Sequence, residues 1–131
     1  MSAYDYPMYT THSFPVVDFA AGGGPYYKMI RGPKGFQGRL IDFGINTTEA
    51  TVWTTTEATF EVGIAADHDE FGKMSIPTGT SSNVVFNTAD DLDAIIDESI
   101  PPDTDILLTF TEGTGGSITG QGIPYVLIAW F

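Results

Sequence analysis

The feature that most constrains the fold is an alternation of apolar and polar residues in several short segments. Apolar residues occupy every second position in 39–45, 58–64 and 105–111, with Ile41, Phe43 and Ile45 on one side of the first segment. Such a period of two is typical of half-buried β-strands. The last run, residues 123–131, is apolar at nearly every position, which predicts a central or doubly covered strand.

Further strands are predicted at 26–30, 50–54 and 71–76, where Thr, Val and aromatic residues are frequent between Gly and Pro. One short helix is predicted over 89–98, because Leu92, Ile95 and Ile96 have helical spacing. The prediction is an all-β protein: one jelly-roll-like β-sandwich of about eight strands over residues 26–131. Residues 1–25 are predicted to form an extended N-terminal arm. The alternation leaves an immunoglobulin-like strand order open.

Composition excludes several classes of function. The 131 residues include no cysteine, so disulfide scaffolds, Cys-based metal sites and cysteine nucleophiles are excluded. The formal charge of −12 argues against nucleic acid as a partner, since binding phosphates requires clustered Lys and Arg. The longest apolar run is far shorter than the ~20 residues of a membrane-spanning helix. No signal-peptide pattern is present at the N-terminus. We therefore expect neither a nucleic-acid nor a membrane partner.

No segment carries a convincing catalytic or metal-binding pattern. Residues 67–70 (Asp-His-Asp-Glu) lack the spacing of a calcium loop and are interpreted as a solvated turn, with a weak calcium site as the alternative. The Gly-rich segment 113–122 lacks the Lys of a phosphate-binding loop and is predicted to connect a hairpin. The two histidines, His12 and His68, offer no Ser–His–Asp arrangement. We expect no catalytic residue, cofactor or metal, and hence no enzyme.

Two groups of residues are candidates for an interface. The first is formed by aromatic residues of the arm, which need a surface to pack on, in this subunit or a neighbouring one: Tyr4, Tyr6, Tyr9 and Phe14. The second is formed by four of the five basic residues: Lys28, Arg31, Lys34 and Arg39. Residues 87–112, by contrast, hold eight acidic residues and no basic one. The basic segment is interpreted either as a loop paired with nearby acids or as a docking patch for an acidic surface.

The order of these features resembles small β-sandwich capsid decoration (cement) proteins of tailed bacteriophages. Three motifs carry the resemblance over about residues 26–131. The first is a Gly-containing strand ending in a Thr-rich turn at 38–48, and the second is a strand leading through Val62-Gly63 to Asp67. The third is a closing pair of apolar strands, 106–110 and 123–131, around a Gly-Thr loop.

The resemblance implies a structural virion protein that binds the outer capsid surface and reinforces it by inter-subunit packing. The implied partner is the major capsid protein, and a homo-oligomer is expected, with a trimer favoured. The implied location is the virion capsid surface, after synthesis in the host cytoplasm. Two alternatives stay open: another virion element, such as a tail- or fibre-associated sandwich or a small jelly-roll coat protein, and a carbohydrate-binding module. The second alternative requires an exposed aromatic platform, for which Trp53 and Trp130 are the only tryptophans.

Overall fold

The computed structural model describes residues 7–22 and 24–131, and the described chain is an all-β protein of two packed antiparallel sheets. Its ten strands are β1 (Met8–Ser13), β2 (Val17–Asp18), β3 (Tyr26–Ile30), β4 (Gly38–Val52), β5 (Ala58–Ile64), β6 (Asp67–Ile76), β7 (Val85–Asn87), β8 (Ser99–Ile100), β9 (Ile106–Thr111) and β10 (Thr119–Trp130). The first sheet has the order β1-β10-β4-β7, with β2 beside β10 and β8 beside β4. The second sheet has the order β3-β9-β5-β6. This arrangement confirms the predicted β-sandwich.

The pairing of the eight longer strands is nested along the chain. Apart from the two-residue strands β2 and β8, the first strand pairs with the last, β1 with β10, and the second with the seventh, β3 with β9. The third pairs with the sixth, β4 with β7, and the fourth with the fifth, β5 with β6. The chain is therefore folded back on itself as one long antiparallel ribbon that is divided between two sheets.

The core lies between the sheets and is built from the alternating apolar residues. Phe43 of β4 meets Phe60 of β5 with ring centroids 5.2 Å apart, and Phe60 meets Phe110 of β9 at 4.7 Å. All three rings are fully buried. Such aromatic pairs add stabilisation beyond the burial of their area. Trp53 closes one end of the core, where its indole N–H donates to the Ile76 carbonyl at 3.1 Å.

Most predicted strands are confirmed, with changes at their ends. The predicted segments 26–30 and 58–64 coincide with β3 and β5, and 105–111 and 123–131 correspond to β9 and the second part of β10. The predicted strand 39–45 and the first part of the predicted strand 50–54 belong to one continuous strand, β4, which ends at Val52. Residues 67–70, interpreted as a turn, begin strand β6 instead, and the turn itself is Ala65-Ala66.

The predicted helix over 89–98 is wrong, since residues 88–97 form turns followed by an edge contact with β6. Asp91 and Asp97 each accept a backbone N–H two residues later, which competes with helical hydrogen bonding. The Lys73 N–H then donates to the Ala94 carbonyl and the Ile96 N–H to the Phe71 carbonyl. Leu92, predicted on the buried face of the helix, is 88% exposed.

The predicted hairpin around residues 113–122 is also wrong, because the strands on either side lie in different sheets. β9 belongs to the second sheet and β10 to the first, so the Gly-rich segment crosses from one sheet to the other. At its start Thr114 forms an isolated bridge with Thr56. Two consecutive strands of a sandwich can be joined by a hairpin within one sheet or by a connection that crosses to the other sheet. The alternation of apolar residues within each strand does not distinguish these two connections.

The predicted arm contributes two strands, β1 and β2, to the first sheet. β1 runs antiparallel to the end of β10, from Met8 beside Trp130 to Ser13 beside Tyr125. The Trp130 indole N–H donates to the Thr10 hydroxyl at 2.8 Å, which fixes β1 from the core side. This stretch therefore packs on its own subunit, and Tyr4 and Tyr6 lie outside the described residues.

Candidate interaction surface

The outer face of the first sheet is formed by β1, β10 and β4 and carries aromatic and aliphatic side chains among polar and charged ones. Residues paired across antiparallel strands project to the same face. One row across the three strands is Tyr9, Ala129 and Arg39, and the next row joins Leu127 to Thr11 on one side and Asp42 on the other. Val126 and Ile128, which alternate with these residues on β10, are fully buried on the inner face.

A groove of about 240 Å³ lies at one end of this face. It is lined by six residues from three strands and their flanking segments: Pro7, Tyr9, Arg39, Ile41, Ala129 and Phe131. Tyr9 is 62% exposed, compared with 50% for Tyr27 on the second sheet. The groove brings together Tyr9 and Arg39, two predicted interface residues that are thirty positions apart in the sequence.

Ile41 was expected on the inner face with Phe43 and Ile45, and this expectation is wrong. The register between β4 and β10 shifts between Leu127 and Ile128, so that β4 contains one extra residue opposite β10. A β-bulge of this kind reverses the facing of the residues beyond it. Leu40 is therefore buried and Ile41 points outward into the groove. The adjacent apolar pair Leu40-Ile41 is a weak sequence signal of this change.

The two arginines of the basic segment pair with the acidic segment of the same chain. Arg31 forms an ion pair with Asp105 at 2.6 Å, and Arg39 forms one with Glu98 at 3.1 Å. The Gly35 N–H also donates to a carboxylate of the acidic segment, that of Asp103, at 3.0 Å. These contacts favour the interpretation of a loop paired with nearby acids for both arginines. The side chains are about half exposed, where such pairs contribute little to stability.

Three other predicted interface residues within the described chain, Lys28, Lys34 and Phe14, lie apart from the groove. Lys28 lies on β3 and lines a second groove of about 190 Å³ with Val16, Val17, Asp18, Ala21 and Tyr26. Lys34 is exposed in the connection between β3 and β4. Phe14 packs against the hydrophobic core, and its N–H donates to the Pro124 carbonyl. The six predicted residues that the structure describes therefore do not form one continuous patch.

Neighbouring side chains shift the pKa values of several titratable groups on the outer faces of the two sheets. The Tyr125 hydroxyl donates to Asp42 at 2.8 Å, and burial together with this carboxylate raises the pKa of Tyr125 to about 12. At the start of β6, hydrogen bonds with Asp69 and Glu70 lower the pKa of Asp67, and the contact with Asp67 raises the pKa of Glu70. Within residues 7–22 and 24–131, no group of three or more His, Asp or Glu side chains is arranged to hold a metal ion.

The histidines and tryptophans are engaged within the fold. His12 contacts the Thr10 hydroxyl through Nε2 at 3.1 Å, and partial burial lowers the pKa of His12. His68 packs edge-on against Tyr27 on the second sheet, with ring centroids 5.9 Å apart. Trp53 and Trp130 are each only 2% exposed. Neither tryptophan can therefore form the exposed platform that the carbohydrate-binding alternative requires.

Comparison of the chain with models of protein families, with curated proteins and with solved structures finds no match in any of the three. A search of the described residues for a helix long and apolar enough to cross a membrane finds none.

Proposed function

We propose that the protein is a structural component of a virion that binds another protein surface through the outer face of the first sheet. The observation that carries the proposal is the groove of about 240 Å³ with Tyr9 exposed beside it. Aromatic residues beside an arginine are typical of the centre of protein–protein interfaces. The mechanism is the burial of apolar area, which stabilises by ~25 cal/mol per Å² before the costs of association.

The nested strand pairing supports a jelly roll as the more specific description of the sandwich. In a jelly roll, eight strands form two Greek keys divided between two sheets. The orders β1-β10-β4-β7 and β3-β9-β5-β6 fit this scheme when β2 and β8 are set aside. Viral coat proteins are among the proteins that use this architecture, as are lectins, so the fold by itself agrees with more than one function.

Within this proposal the role is capsid decoration, and it rests on the resemblance to phage cement proteins together with the groove on the outer face. The partner is the major capsid protein, and the location is the outer surface of the virion. A decoration protein is present in many symmetric copies, so a modest contact per copy adds up over the particle. The outer face carries Arg39, which is paired with Glu98, and also Asp42, so contact through buried area is favoured over long-range charge attraction.

The experiment is a binding measurement on purified, undecorated particles of the phage that encodes the protein. We expect the full chain to co-sediment with the particles and to saturate in proportion to the number of capsid subunits. A Tyr9→Glu variant should bind at least about tenfold more weakly, because a carboxylate would replace the exposed ring. The matched control is Tyr27→Glu. This variant makes the same substitution at a half-exposed tyrosine on the other sheet, away from the groove.

Equal loss of binding in both variants, or in neither, would contradict the outer face as the docking surface. Saturation at only a few copies per particle would favour the tail- or fibre-associated alternative over decoration. Deletion of residues 1–20 is unsuitable as a test, since β1 and β2 are strands of the first sheet.

A further inference from the structure

The free edge of β1 is the longest uncharged strand edge in the described chain. β1 pairs with β10 on one side only among the described residues. The edge of β6 is covered by residues 94–97, and β7 has only three residues. The edge strand β3 carries Lys28, a residue that natural proteins use to discourage edge pairing. β1, with the sequence Met-Tyr-Thr-Thr-His-Ser, has neither a formally charged residue nor a bulge.

The backbone groups that point away from β10 can be assigned from the ladder. The Phe14 N–H donates to the Pro124 carbonyl, so the backbone N–H and C=O groups of Phe14 point toward β10. Because the direction of these groups alternates along a strand, the N–H and C=O groups of His12, Thr10 and Met8 also point toward β10. The N–H and C=O groups of Tyr9, Thr11 and Ser13 therefore point to the free edge. These three residues are exposed.

We propose that β1 pairs with β1 of a second copy of this chain, antiparallel about a two-fold axis at Thr11. In this register Thr11 faces Thr11 of the second copy and Tyr9 faces Ser13 of the second copy. Each outward N–H of one copy then meets an outward C=O of the other. About six interstrand hydrogen bonds would form. Pro7 and Pro15 flank β1 at equal distances from Thr11, so both ends of the paired segment coincide with prolines, which do not donate to a ladder.

The uncharged edge and the symmetric placement of Pro7 and Pro15 about Thr11 favour a second copy as the occupant. Two chains of charge −12 repel each other over most of their surfaces, whereas the proposed contact brings together two strands without formal charge. An isologous two-fold contact closes at two copies and leaves no open end. The outer faces of both first sheets become one continuous surface with a Tyr9 on each half. This proposal replaces the trimer that the resemblance favours, and it does not depend on the virion role.

The first test is the molar mass of the full chain in solution, by sedimentation or light scattering over a range of concentrations. We expect a reversible dimer of twice 14.1 kDa. Thr11→Lys places two like charges opposite each other and should raise the dimer dissociation constant by at least about tenfold. The matched control is Thr48→Lys, which adds the same charge at another exposed threonine. A wild-type monomer, a trimer, or equal effects of the two substitutions would overturn the proposal.

The second test uses the absence of cysteine from the chain. Residues that face each other as a hydrogen-bonded pair have Cα atoms about 5.5 Å apart, so a short bis-maleimide can join two thiols placed there. Treatment of Thr11→Cys with this reagent should therefore give a covalent dimer at protein concentrations where Thr48→Cys does not. Circular dichroism of each variant checks that the sheet is retained. A folded Thr11→Cys variant that stays uncrosslinked would also overturn the proposal.

Discussion

Replacing Thr47 by valine tests how the long strand β4 holds the connection between β6 and β7. The Thr47 side chain is 1% exposed, and its hydroxyl contacts the Ser81 carbonyl at 2.6 Å and the Val84 N–H at 3.0 Å. Valine has nearly the same shape but cannot make either contact. Both backbone groups would lose a partner while the packing stays largely unchanged.

The size of the stability loss depends on whether the Ser81 carbonyl and the Val84 N–H can form hydrogen bonds with water instead. Leaving a buried polar group unpaired costs ~1–3 kcal/mol, but Ser81 and Val84 belong to exposed residues that water can reach. We therefore expect a loss of about 1–2 kcal/mol in the free energy of unfolding. For a chain of this length that corresponds to a decrease in Tm of about 4–8 °C.

The assay is chemical and thermal unfolding followed by circular dichroism, with Thr48→Val as the matched control. Thr48 is the next residue along β4 and is exposed, so its substitution should change the free energy of unfolding by less than about 0.5 kcal/mol. If Thr47→Val and Thr48→Val unfold at the same denaturant concentration, the hydroxyl does not anchor the connection and the reasoning is refuted.

Three further predictions concern single side chains. The Thr109 hydroxyl is buried without a hydrogen-bond partner in the described chain, so Thr109→Val should leave the free energy of unfolding unchanged or raise it, and a loss above about 1 kcal/mol would contradict this. The pKa of Tyr125 is raised above its ordinary value of 10, so its contribution to stability is present below pH 10 and is lost as the pH rises toward about 12. Asp42→Asn should lower that pKa in a spectrophotometric titration, and an unchanged value would refute the assigned cause. Gly38→Ala would place a methyl group about 2.7 Å from the Trp130 ring and should cost ~1–3 kcal/mol by thermal unfolding, whereas a neutral effect would show that the ring can move aside.

The alternation of apolar residues was enough to predict the strands of the core. Residues 58–64 coincide with β5, because a strand packed on both edges and buried on one face keeps a strict period of two. The same reasoning failed for Ile41, since one extra residue in β4 reverses the facing of its neighbours. A bulge depends on the pairing of two distant strands and has only a weak signal in one of them.

For the interface candidates, the sequence identified the residue types but not the residues that they contact in the fold. Tyr9 and Arg39 were identified from their residue types, but the groove that joins them forms only because β1 and β4 both pair with β10. Arg31 was correctly seen as part of a basic segment, and its partner Asp105 lies far along the chain. Spacing in the sequence carries no information about that pairing, so the basic segment could not be told from a free docking patch.

The sequence by itself determined the all-β class and most strand positions. These properties depend on composition and on contacts between near neighbours in a strand. The tertiary structure alone decided that β9 and β10 belong to different sheets, that residues 88–97 are not helical, and that β1 forms an uncharged edge. Each of these three features depends on which strands, distant in the sequence, pair through backbone hydrogen bonds. That pairing is decided only when the whole chain is folded.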